Sequence, residues 1–269
     1  MRSFLLLIFT LLAIFKADAR AGEIEGNWKF PSDIAVSNGK LYVVDGLNNR
    51  IAVYDLYGDH LTDIKSDSPF GIFVHDGVLY VVSQKGKLTI MDETGNVEES
   101  LNLRGRPIDV VKLGGKLFIT NGKRQTIDIY DLSGNLIKSI GGKGTAPGNF
   151  VGVFLESSSK DTLFVVDSVN ARIQEFDKNG SFIRSFGKFG IEEGNLFRPK
   201  GVAYCGNGKL VVSDAITGSV QLFNIYGGFE DVIAEGLHYP TAVACYKGEV
   251  FVLEPLKNRV LTFKVQGVK

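Results

Sequence analysis

The chain has 269 residues, and its 30 Lys plus Arg are balanced by 30 Asp plus Glu, so no global charge draws it to nucleic acid or an anionic membrane. Its 32 glycines and 19 phenylalanines, against only 7 prolines, exclude a disordered chain and suit an all-β protein with many tight turns. A chain of this length forms one domain when it is a barrel, sandwich or propeller.

Residues 1–21 read as a targeting segment. Met1-Arg2 gives a short positive start, Phe4 to Phe15 is an almost wholly apolar run, and two small-x-small sites follow, Ala17-Asp18-Ala19 and Ala19-Arg20-Ala21. A membrane span needs about 20 apolar residues, so the run predicts a cleaved leader and no remaining anchor. Cleavage after Ala19 removes Arg2, Lys16 and Asp18 and leaves 28 basic and 29 acidic residues. The expected product, residues 22–269, is exported, periplasmic or secreted, and monomeric. Two cysteines, Cys205 and Cys245, then meet an oxidising compartment. They fall in corresponding strands of consecutive repeats but are offset by one residue. Successive side chains of a strand point to opposite faces, so the offset favours two buried free thiols over a bridge.

From residue 27 onward a four-strand pattern recurs. It is clearest between Pro147 and Gly187, where strands are predicted at 151–155, 162–167, 172–177 and 181–186. The second strand is the best anchor: LYVVD at 41–45, LYVVS at 79–83, LFITN at 117–121, LFVVD at 163–167, LVVSD at 210–214 and VFVLE at 250–254. Their first residues are spaced by 38, 38, 46, 47 and 40. Such a period with four strands per repeat predicts propeller blades, here 27–64, 65–101, 102–141, 142–187, 188–234 and 235–269. The second strands are apolar on both faces, as a sheet covered on each side by a neighbouring blade requires.

Most first strands open with Pro-x-small, at Pro31, Pro69, Pro107, Pro199 and Pro240, where proline loses no ladder donor. Repeat four has Val151-Gly152 instead. An acid at the end of strand two precedes an arginine by five residues in Asp45/Arg50, Asp167/Arg172 and Glu254/Arg259. Strands three and four meet through Asp- or Asn-opened turns that end in glycine, such as Asp177 to Gly180. Repeat six runs out near Gly267, so an N-terminal segment within Glu23 to Trp28 is expected to close the ring.

The pieces Pro-x-Gly, Leu-Tyr-Val-Val-Asp, Asn-x-Arg-Ile and Phe-Asp-x-x-Gly together resemble the NHL-repeat family. That resemblance covers residues 27–269 and implies a six-bladed, all-β propeller of four-stranded antiparallel blades. It says little of function, because such folds host unrelated activities.

In such a ring the loops before strand one and between strands two and three share a face. The acid–arginine pairs recur too regularly for a site and read as loop braces. The irregular positions are better candidates. Asp33 and Asp109 replace the expected small residue in blades one and three, while Arg198, Lys200 and His238 belong to blades five and six. A mouth acidic on one side and basic on the other suits a cation, a zwitterion or a charged peptide, with Phe70, Tyr239 and Trp28 adding apolar contact. Solvated loop charges and local turn formers are the alternative reading of the same residues.

Enzymatic readings have less behind them. His60, His75 and His238 do not converge in the blade scheme, which disfavours the His-rich zinc site of amidating lyases with this fold. There is no calcium-loop motif, and no serine sits in a nucleophile elbow. No cofactor is expected. A metal-dependent hydrolase or lyase of lactonase type would place a divalent cation on Asp33 and Asp109. Nucleic-acid binding lacks a basic face with stacking aromatics. The expected partner is a protein, a peptide or a small charged ligand on the loop face.

Overall fold

The computed structural model describes residues 20–159 and 161–268; the leader expected at the N-terminus lies outside them for residues 1–19. The described residues form a ring of six four-stranded antiparallel sheets, and the chain is a six-bladed β-propeller. Blade one is β2 (Pro31–Ser37), β3 (Lys40–Asp45), β4 (Arg50–Asp55) and β5 (His60–Lys65). Blade two is β6 (Pro69–His75), β7 (Val78–Ser83), β8 (Lys87–Asp92) and β9 (Val97–Asn102). Blade three follows as β10 (Pro107–Leu113), β11 (Lys116–Asn121), β12 (Thr126–Asp131) and β13 (Leu136–Gly141).

Blade four is β14 (Val153–Ser159), β15 (Thr162–Asp167), β16 (Arg172–Asp177) and β17 (Phe182–Phe186). Its first strand starts two residues later than the sequence suggests, because Val151 and Gly152 are spent on the preceding loop: their carbonyls accept from Val169 N and Ser168 N. Blade five is β18 (Pro199–Tyr204), β19 (Lys209–Asp214), β20 (Ser219–Asn224) and β21 (Phe229–Ala234). Blade six has β22 (Val243–Tyr246), β23 (Glu249–Glu254) and β24 (Arg259–Lys264), and its outer strand is β1 (Arg20–Glu25).

Strand β1 runs antiparallel to β24, with Arg20 opposite Phe263 and Glu25 opposite Arg259. The closing strand begins earlier in the chain than the expected Glu23 to Trp28 segment and shares Glu23 to Glu25 with it. Its own Ile24 is buried, and Arg259 Nη1 reaches Glu23 Oε1 at 2.9 Å. Trp28 lies past the strand and well inside the molecule. It is 2 % exposed, and its Nε1 donates to Tyr54 Oη at 3.1 Å. The expected role at the mouth is corrected: burying so large a ring in the seam between blades six and one outweighs any rim contact.

The core consists of six apolar clusters, one between each pair of neighbouring blades. Alternation within the second strands supplies both sides. Leu41 and Val43 face blade six, while Tyr42 and Val44 face blade two. This is why those strands are apolar on both faces.

Cys205 and Cys245 form a disulfide, with Cα atoms 5.2 Å apart. The expectation of free thiols fails for a local reason. Cys205 lies one residue past the end of β18, in a turn where its N–H bonds Lys209 O, so strand alternation no longer sets where its side chain points. The bridge ties the inner strands of blades five and six at the ends remote from the loop face.

Candidate functional site

Each inner strand begins on the loop face, since Pro31 pairs with Asp45 and Pro107 with Asn121 at the ends of the second strands. In blades one, two, three and five the register slips by one residue directly after the proline. Such bulges are a common device beside binding sites. Here residues directly after the prolines, Ser32 and Asp33, Phe70, Ile108 and Asp109, and Lys200, line one cavity of about 400 Å³, within the roughly 300–1,000 Å³ typical of small-molecule pockets.

Of the residues singled out from sequence, Asp33, Asp109, Phe70, Lys200 and Tyr239 line this cavity. Arg198 and His238 do not. Their backbone N–H groups are spent on carboxylates at the ends of the second strands: Arg198 N donates to Asp214 Oδ2 at 2.8 Å, and His238 N donates to Glu254 Oε1. Further lining residues include Phe30, Ile108, Phe154, Thr241 and Leu256, none of which the sequence reading singled out.

Asp33 and Asp109 occupy equivalent positions in blades one and three, separated by Gly71 of blade two. A Cβ at Gly71 would lie 2.4 Å from Ile108 O and 2.9 Å from Asp109 Cα, so only glycine lets the strands approach this closely. Asp33 spans the gap. Its Oδ1 accepts from Ile34 N and its Oδ2 from Ile72 N, both at 2.8 Å, while Asp109 Oδ1 accepts from Val110 N at 2.8 Å. Burial pushes the Asp33 carboxyl up to about 7, against those two N–H donors, which favour its charged form.

Lys200 enters from blade five. Its Nζ lies 4.7 Å from the Phe154 ring centroid and meets no carboxylate among the described residues. Burial, and next the Arg198 charge, lower its pKa. Thr241 of the adjoining blade packs on the next residue, Gly201: a Cβ there would lie 2.5 Å from Thr241 O. Thr241 Oγ1 is buried without a hydrogen-bond partner among the described residues. Phe30 and Tyr239, each preceding a proline, hold φ of 59°, a left-handed conformation that costs bulky residues about 1–3 kcal/mol. Ser68, before Pro69, shares this backbone shape, so it belongs to the repeat as well as to the cavity.

The acid–arginine pairs lie away from the cavity and join loops to blades. Asp167 is fully buried; it accepts from Arg172 Nε at 2.7 Å, Val151 N at 2.7 Å and Gln174 Nε2 at 3.0 Å. Asp45 accepts from Arg50 Nε and Lys29 N, both at 2.7 Å, and Glu254 from Arg259 Nε. His60 and His75 pair with Asp63 and Asp76 on blade strands remote from the cavity.

As a metal centre the cavity is poorly equipped. Asp33 and Asp109 are two carboxylates, and among the described residues no third His, Cys, Asp or Glu joins them in a metal-holding group. Both carboxylates already accept from backbone N–H groups, so the protein offers a divalent cation two partly engaged carboxylates and no further charged donor group among the described residues.

No family model matches the sequence, and no curated protein is detectably similar to it. Solved structures do share the fold. A streptogramin B lyase is 14% identical, covering 90% of this chain and 97% of its own, with a TM-score of 0.65. A luciferin-regenerating enzyme is 15% identical over 92% of this chain and 96% of its own, with a TM-score of 0.69. The WD40 propeller domain of Doa1 is 16% identical over 87% and 79%, with a TM-score of 0.66. At these identities the likeness concerns the ring of blades alone.

Proposed function

We propose that this protein is an exported binding propeller that takes a charged ligand, small or the end of a peptide, into the axial cavity of its loop face. One observation carries the reading: charged side chains from alternate blades, Asp33, Asp109 and Lys200, line a single cavity whose other walls are largely apolar. Asp33 and Asp109 at equivalent positions, with Lys200 one residue earlier in its own blade, place three ionisable groups in a largely apolar cavity, a solvation cost that a ligand would offset. The disulfide supports an oxidising compartment, and among the described residues no helix is long and apolar enough to cross a membrane.

The lyase reading, raised by the fold's occurrence in streptogramin B lyase, has less support. His238 is the one histidine near the loop face, and it lies outside the cavity lining. A metal-dependent hydrolase or lyase meets the donor-set difficulty described above.

The test is a thermal-shift screen of the mature chain against charged small molecules and short peptides. A ligand at about a hundredfold its Kd stabilises by about 2.7 kcal/mol, or roughly 5–11 °C for a domain of this size. The expected hit stabilises the native chain but not Asp109→Asn or Lys200→Met. Ligands whose effect survives both substitutions would move the site elsewhere.

A further inference from the structure

The loop face carries a second pattern outside the cavity. It uses none of the cavity's charges and so stands independently of the reading above. We infer that this face docks a segment of a partner protein whose apolar side chains lie next to a run of acidic ones.

The apolar part comes from one position of the repeat. Two residues past the end of each second strand, the chain crosses the loop face. That position is Leu47 in blade one, Val169 in blade four, Ile216 in blade five and Leu256 in blade six, each between 48 % and 72 % exposed. A lone exposed apolar residue is ordinary. Here the same position is apolar in four successive blades, since blade six packs on blade one. Exposed apolar surface gathered into an arc marks an interaction site. The arc also reaches the rim of the cavity. Leu47 N donates to Lys29 O at 3.1 Å, which stitches its loop to the segment bearing Phe30. Phe30, Tyr239 and Leu256 are all exposed and all line the cavity.

In blades two and three the same position is Lys85 and Lys123. The loop-face segments 66–68, 84–87, 103–106 and 122–125 hold those two with Lys87, Arg104, Arg106 and Arg124, all exposed, against one acid, Asp67. Asp67 is engaged by Lys85 at 2.9 Å. Arg106 donates to the neutral Gln84 Oε1, at 2.7 Å from Nη2. Among the described residues no ion pair engages Arg104, Arg106, Lys123 or Arg124. A sector of one sign is complemented by carboxylates on the partner.

The arrangement favours a polypeptide over a lipid surface. An anionic membrane is flat and spreads its charge over the whole contact. On this face charge and apolar contact fall in separate sectors of the ring, and the apolar sector continues into a cavity that a protein side chain can fill.

Random dodecapeptides displayed on phage and selected on the immobilised mature chain test this, with the enriched sequences synthesised and titrated by fluorescence anisotropy. Enriched peptides should place apolar residues beside a run of acids, and added salt should weaken their binding. Leu47→Ser with Leu256→Ser should weaken it about tenfold or more. Lys123→Glu with Arg124→Glu should weaken it as much, mainly through slower association. All four side chains are exposed, so both variants should keep the native Tm. Peptides that lack the acids, peptides that bind both variants as they bind the native chain, or no enrichment at all would overturn the inference. Tighter binding to phosphatidylcholine vesicles containing phosphatidylserine than to any selected peptide would also overturn it. Peptide binding lost only in Asp109→Asn or Lys200→Met would overturn the docking face while leaving the cavity reading in place.

Discussion

The disulfide between Cys205 and Cys245 gives the most direct quantitative expectation. Replacing both residues by alanine removes a cross-link closing a 40-residue separation. In the chain-entropy treatment, closing a loop of that length restricts the unfolded chain by about 13 cal/mol/K, or about 4 kcal/mol at 25 °C. For a domain of this size that corresponds to a loss of about 8–16 °C in Tm. The measurement is thermal and urea unfolding of the oxidised protein and the double alanine variant, followed by circular dichroism, with thiol titration of the native chain. Because Cys205 packs in the cluster between blades five and six, a Cys205→Ser/Cys245→Ser pair separates lost packing from lost cross-linking. Two titratable thiols in the native protein, or a Tm loss under about 2 °C, would refute the reasoning.

Two further predictions concern charge. An acid raised on folding, as Asp33 is from 3.8 to about 7, keeps its proton in the folded chain where the unfolded chain has lost it. Stability should therefore fall as pH rises through that window, by up to about 4 kcal/mol. Asp33→Asn should flatten this fall in urea unfolding at about pH 4 and about pH 8, and parallel profiles would count against a buried, proton-holding Asp33. Among the braces, Asp167→Ala leaves the largely buried Arg172 guanidinium without its carboxylate and should cost about 3–5 kcal/mol, or roughly 6–20 °C in Tm. Removing Arg172 as well should recover part of that loss, and strict additivity in the double-mutant cycle would show that the pair does not act as a brace.

Much of the architecture was legible because each blade repeats one solution to one packing problem. A strand that is apolar on both faces fits only between two neighbours, and the turns announce themselves through Asp, Asn and Gly. The cavity was partly legible for the opposite reason: Asp33, Asp109 and Lys200 break the repeat. What escaped depends on backbone shape. The bulges after Pro31, Pro69, Pro107 and Pro199 help decide which side chains reach the cavity, and no residue type announces them. Phe154 was hidden because blade four lacks the proline that marks the other inner strands. Arg198 and His238 looked equivalent to Lys200 in linear distance, yet their N–H groups cap Asp214 and Glu254 and hold that backbone outside the cavity. Cys205 was misjudged by one residue at the end of a strand.

The clasp of β1 on β24 also determines how the ring responds to tension. Arg20 lies opposite Phe263, so both chain ends leave the strand pair at the same end. Force applied between them opens the ladder one hydrogen bond at a time rather than loading all of them in shear. The Glu23–Arg259 ion pair and the buried Ile24, toward the other end of the pair, part last. Pulled by its two ends, the propeller unzips at its seam, whereas blades one to five, each a continuous run of chain, carry no such seam.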